Sequence, residues 1–170
     1  MTNHFRRSAE YPFHISIGGI VVNGSGEICC HYYDKFELAG AGELRDFYLL
    51  MRETIEPGES IEGCLARGLM EEFGAESTIR HYIGAIVSKF FLAEDEPAVE
   101  KTTLYFLCDF IYKDETKRKL GDPECGSKIV WMKPNDLIEK MKEQGIRLGR
   151  KDADESQVVE NAIPYIKMAI

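Results

Sequence analysis

Apolar and polar positions alternate along the chain in stretches that read as short elements. His14 to Val22, HISIGGIVV, is an almost unbroken apolar, β-branched run and predicts a strand. Gly18-Gly19 inside it marks a bulge or a close backbone approach. Asn23-Gly24-Ser25-Gly26 is a turn, and Glu27 to Tyr33 resumes as a strand, so the two form a hairpin. A polar stretch with Gly40 and Gly42 leads to a short apolar run, Phe47 to Met51. Ser60 suits a helix N-cap, the helix runs to about Phe73, and Gly74 ends it in a left-handed conformation. Ile79 to Phe91 reads as a strand, Ala93 to Glu100 as an acidic loop, and Thr102 to Tyr112 as the strongest strand. Lys113 to Lys128 is a polar, hairpin-like connection with a turn at Gly121-Asp122-Pro123. Ile129 to Met132 is a short strand, Asn135 to Lys142 a helix, and Glu155 to Met168 a last helix interrupted or bent near Pro164. Strands around one central helix, with helices at the end, predict an α/β fold with a mixed sheet between helices. Residues 1–12 read as an arm and 13–170 as a single domain.

Composition narrows the function. The formal charge of −8 opposes binding to duplex nucleic acid or to an anionic membrane, which need a basic face. It leaves room for a phosphate-bearing ligand whose charge a metal ion neutralises. The five cysteines (Cys29, Cys30, Cys64, Cys108 and Cys125) include no CxxC pair and are expected as buried free thiols in a reducing compartment. The four histidines are scattered without ligand spacing. No apolar leader or membrane-length run occurs, and the expected location is cytoplasmic.

The chemistry is concentrated in Glu53 to Ala75, ETIEPGESIEGCLARGLMEEFGA. On a wheel of about 100° per residue starting at Ile61, the residues Ile61, Leu65, Leu69 and Phe73 form a buried stripe. Glu72 falls at roughly 20°, inside the edge of that stripe, and Glu71 at about 280°, beside Arg67. A carboxylate at a buried margin calls for a partner or a cation. Arg67 and Glu71 also suit an ordinary pair one helical turn apart, and Glu71-Glu72 a solvated acidic pair.

The segment resembles the Nudix box, G-x5-E-x7-R-E-U-x-E-E-x-G-U, with U a bulky aliphatic residue. Glu59, Arg67, Leu69, Glu71, Glu72 and Gly74 fall at the required spacings, and Pro57-Gly58 before Glu59 is habitual in that family. The order of elements over most of residues 13–168 is similar too. The resemblance implies a Nudix-type α/β/α sandwich and hydrolysis of a nucleoside diphosphate linked to another group. It implies magnesium or manganese held by Glu71 and Glu72, with the carbonyl of Arg52 as a further metal ligand. Arg67 and Glu59 would orient these groups, and Arg67, Glu71 and Glu72 make up the expected catalytic set. A homodimer is expected from the same resemblance.

Two positions depart from the pattern. Glu53 stands in place of the opening glycine, and Gly68 in place of the glutamate that often serves as base or metal ligand. Glu53 either offers a new carboxylate or fills the site. The acidic loop, with Glu96 and Glu100, is the other source of a substitute ligand. The alternative is a nucleotide-binding or regulatory module that keeps the fold and has lost turnover.

Overall fold

The structure is a computed structural model describing residues 3–8, 13–38, 42–90, 98–121, 123–149 and 153–167. Seven strands occur among these residues: β1 (Phe13–Val22), β2 (Ile28–Leu38), β3 (Gly42–Leu49), β4 (Met51–Thr54), β5 (Ala75–Phe90), β6 (Val99–Lys113) and β7 (Lys128–Met132). The helices are α1 (Ile61–Gly68), which continues as a π-turn over Leu69–Phe73, then α2 (Pro134–Leu148) and α3 (Ser156–Lys167).

Strand β1 is the hub of the sheet, whose order is β3-β2-β1-β6-β5. It runs parallel to β6 along its whole length, from Phe13 opposite Glu100 to Val22 opposite Asp109. On its other edge it pairs antiparallel with β4, placing Glu53 beside Ile17 and Arg52 beside Gly18, and with β2 at Val21 and Val22. Strand β2 then turns to β3 and β7. The sheet is therefore mixed, as expected.

Alternation along β1 feeds two cores. Ile17 and Val21 join Cys64, Leu65, Leu69 and Phe73 under α1. Ile20 and Val22 join Leu137, Met141, Val158 and Val159 under α2 and α3. The Gly18-Gly19 pair serves close approach rather than a bulge, since the pairing with β6 runs through it unbroken. A Cβ on Gly18 would lie 2.5 Å from the Tyr105 ring, and one on Gly19 would lie 3.0 Å from Met51 Cε. The bulges fall in β5 instead.

Three expectations are corrected. The connection after β6 is not a hairpin, because β7 pairs with β2; it contains 3-10 turns at Glu115–Lys117 and Pro123–Gly126. The apolar run Phe47 to Met51 is not one element, since β3 ends at Leu49 and Met51–Thr54 forms β4. Helix α3 continues through Pro164 without the expected interruption. Four cysteines are buried and free, with Cys125 exposed, and burial pushes the Cys29 and Cys108 thiols up to about 12. Among the described residues no helix is long and apolar enough to cross a membrane.

Candidate functional site

Strand β4, the loop after it and α1 build the site. Ser60 caps α1 by accepting from the Gly63 amide at 3.0 Å. Gly74, at φ 63°, ends the following π-turn in the left-handed conformation. The backbone there is tightly packed, because a Cβ would meet the Asp114 carbonyl at 2.2 Å.

Arg67 is the centre of the charge cluster. Its Nε donates to Glu59 Oε1 at 2.9 Å, and its Nη2 donates to Glu59 Oε2 at 2.9 Å and to the Thr54 carbonyl at 2.8 Å. This two-point pair holds the Glu59 carboxyl down at about 2. Arg67 Nη1 lies 2.9 Å from Glu53 Oε2 and 4.0 Å from Glu71 Oε2. Glu71 also accepts from Lys119 Nζ at 2.9 Å, and its carbonyl accepts from the Lys119 amide at 2.9 Å.

Glu72 has a different environment. It is 4% exposed, with Oε2 2.7 Å from His31 Nε2. His31 Nδ1 lies 2.7 Å from Ser127 Oγ, while the Ser127 hydroxyl donates to the Glu124 carbonyl at 2.7 Å. His31 thus bridges Glu72 and Ser127 through its two ring nitrogens. Arg118 ties the same knot by donating to the Glu72 and Ser127 carbonyls at 2.6 and 3.0 Å. His31, Ser127, Arg118 and Lys119 were not singled out from the sequence. His31 and Glu72 lie 41 residues apart and His31 and Ser127 lie 96 apart, so no local spacing joins them.

The other expected residues are Arg52, Glu100 and Glu96, and the Arg52 carbonyl, the expected ligand, belongs to β4 directly before Glu53. The Arg52 side chain points to the opposite face of β4 from Glu53, with Nε 3.6 Å from buried Glu155 Oε1. Glu155 also accepts from the Leu50 amide at 2.7 Å and from the Tyr105 hydroxyl, and burial raises its carboxyl above the usual range. Glu100 is exposed, 4.0 Å from Lys89 Nζ. It stands opposite Phe13, four residues along β1 from the level of Glu53, or roughly 13 Å at strand spacing. Glu96 lies outside the described residues.

Hard cations of the magnesium type take oxygen donors, keep several waters and are often held by one or two carboxylates plus substrate phosphates. Glu53 and Glu71 meet that description: both are partly exposed, at 15% and 23%, and both face Arg67 Nη1. Among the described residues no three His, Cys, Asp or Glu side chains are grouped as ligands. The reason is visible, since Glu72 is turned to His31 and position 68 carries no side chain. Glu53 and Glu71 are the donors such an ion would share with water and a diphosphate, and Arg67 and Lys119 are their partners in this structure.

A mixed sheet clamped between α1 on one face and α2 and α3 on the other, with carboxylates on a capped helix beside β4, defines an α/β/α protein with a loop–helix acidic site. The NUDIX domain family model matches residues 12–151, and the chain belongs to that family. It is similar in structure to a NUDIX hydrolase from Nitrosomonas europaea, at 13% identity and TM-score 0.60 over 89% of this chain and 88% of that one. It is also similar to the MutT protein from Methanosarcina mazei Go1, at 19% identity and TM-score 0.53 over 75% of this chain and 82% of the other. No curated protein sequence matches the chain.

Proposed function

We propose that the chain is a magnesium- or manganese-dependent hydrolase of a nucleoside diphosphate linked to another group, cleaving the pyrophosphate bond. The observation that supports this most directly is that Glu53 and Glu71 both come to Arg67 Nη1, at 2.9 and 4.0 Å. When bound, such an ion neutralises diphosphate charge and polarises a phosphoryl oxygen. Glu71 and Glu53 would hold it. Arg67, locked by Glu59 and the Thr54 carbonyl, keeps strand β4 in register with α1. Lys119, 2.9 Å from Glu71, brings a positive charge to the rim, where a phosphate oxygen can share it. The Glu72–His31 pair anchors the end of the π-turn from below.

A second reading, a nucleotide-binding module without turnover, is favoured by one feature: Arg67 already stands between the carboxylates where an ion would sit. The two are separated by offering a panel of nucleoside diphosphate derivatives with each metal and following release of phosphate or nucleoside monophosphate. Hydrolysis that drops at least about a hundredfold in Glu71→Gln supports the enzyme. Thermal stabilisation by the same nucleotides without product selects the binding module.

A further inference from the structure

The sheet has two unlike outer strands. Strand β3 carries Glu43, Arg45 and Asp46, and Asp46 sits at φ 49°, so charge and an irregular backbone guard that edge. Strand β5, at the other end of the sheet, is 16 residues long and divides in two. Its register against β6 shifts at Glu76/Ser77, Ile79/His81 and Tyr82/Gly84, which bends that half and spoils it for a further strand. Over residues 84–90 the register is unbroken. The run 83–88, IGAIVS, contains no charge and no proline. Among the described residues β6 is its only strand partner.

This edge is open and apolar. A cavity of about 270 Å³ lies along Ala85, Ile86 and Val87, with Asp154 and Gln157 as its far wall. Ile83 and Ile86 pack on the core under α2 and α3. Ala85 and Val87 pair with Leu104 and Thr102 and so lie on the α1 face, where Val87 is 63% exposed and Tyr82, against the Phe106 ring, is 51% exposed. The occupant that matches such an edge is the same edge of a second copy. Two chains of charge −8 repel, so they meet where acidic side chains are missing. Residues 83–88 are such a place, and the nearest charges on the strand are Arg80 and Lys89. An antiparallel pair of identical strands is also self-complementary, because a two-fold axis matches each outward N–H with a carbonyl of the other copy. With the axis at Ile86, Ala85 faces Val87 of the second copy on both sides, Gly84 faces Ser88, and no like charges stand opposite.

We propose that the chain forms a two-fold dimer in which residues 84–88 of β5 pair antiparallel with the same residues of a second copy, centred on Ile86, so that the two sheets become one. The contact does not depend on the metal-dependent reading above, since Glu53, Arg67 and Glu71 belong to β4, α1 and its π-turn and not to β5.

Mass in solution, followed by light scattering over a series of protein concentrations, tests the contact together with a cysteine scan. The wild-type chain is expected to be a dimer at micromolar concentration. Val87→Lys changes a side chain that is already exposed and puts a charge into both symmetric halves of the contact. It is expected to weaken the dimer at least about a hundredfold, with the folded circular dichroism signal unchanged. Leu120→Lys, at an exposed apolar position elsewhere, is expected to leave the dimer as it is. In a Cys125→Ser background, which removes the exposed thiol, Ile86→Cys is expected to form a disulfide with its own copy. Opposed residues of an antiparallel pair have Cα atoms about 4.5–5.5 Å apart, within disulfide reach. Glu76→Cys, on the irregular half of β5, is expected not to cross-link. A monomeric wild type overturns the proposal and leaves the edge to an extended segment of another protein. A dimer that Val87→Lys leaves intact, or that Leu120→Lys breaks as readily, overturns it too. Cross-linking at position 76 equal to that at 86 overturns the register, and if Ile86→Cys does not fold, the two lysine variants decide.

Discussion

Glu71 and Glu72 are neighbours in sequence with opposite physical roles. Glu71 lies at the rim between Arg67 and Lys119, where an exposed ion pair contributes only about 0–1 kcal/mol. Glu72 faces His31 in the interior, and removing one partner of a buried pair leaves the other without compensation, at about 3–5 kcal/mol. Urea unfolding should therefore show Glu72→Ala losing about 3–5 kcal/mol and Glu71→Ala no more than about 1; equal losses would mean that the two side chains share one environment. The division was half legible in the sequence. A helical wheel puts Glu72 at the edge of the apolar stripe, because that depends only on spacing along one helix. It cannot supply His31, whose approach depends on β2 passing beneath the π-turn. Helical spacing pairs Arg67 with Glu71 one turn on, but that contact is 4.0 Å, and the close two-point contact goes to Glu59 in the preceding loop. For Gly68, a glycine inside a helix already points to close packing against the box loop or another strand; that the neighbours are Glu53 and Met51 is set by β4, a strand that pairs elsewhere.

Among the elements, those with a strong local signal came out where expected. β1, α1 with its Ser60 cap, Gly74 and β6 all carry their own periodicity or stop residue. Strands β3 and β4 were missed because their sequences, GELRDFYL and MRET, are rich in charge. Both exist through partners, β3 on the sheet edge beside β2 and β4 against β1. Helix α2 runs to Leu148, past the expected end, on the strength of Leu137, Ile138, Met141 and Gln144 packed inward. Helix α3 shows how tertiary packing overrides a breaker. Pro164 is exposed, while Val158, Val159, Ala162 and Ile166 hold the helix to the sheet. Proline within a helix costs up to about 3 kcal/mol, less near an end. Pro164→Ala should then stabilise the protein by about 1–2 kcal/mol, seen as a higher urea midpoint with an unchanged slope; a lower midpoint would show that the proline makes a packing contact the helix needs.

Across the whole molecule the charge is −8, yet the start of β1 is locally basic. His14 lies 2.9 Å from Thr54 Oγ1, and burial, followed by Lys101, Arg6, Arg52 and Arg7, pushes its pKa down from 6.5 to about 4. The folded state therefore binds fewer protons than the unfolded chain between those values. The His14 contribution is fully present above pH 6.5 and is lost as the pH falls toward 4. Glu59 acts in the next window down, since its pKa falls from 4.5 to about 2 through Arg67, and its contribution fades across that range. Glu155 has the opposite sign. Burial raises its pKa, so the folded state holds its proton more tightly and gains as the pH falls through that raised value. Acid destabilisation should accordingly begin with His14, well before most carboxylates titrate. Replacing it by glutamine retains polarity without the charge, so His14→Gln should flatten the stability profile between pH 6.5 and 4 by about 1–2 kcal/mol, allowing for partial exposure, and leave the steeper loss below pH 4.5 in place. Urea unfolding at closely spaced pH values checks this. A profile identical to wild type through the upper window would mean that neither burial nor the four neighbouring cations act on His14 in the folded protein.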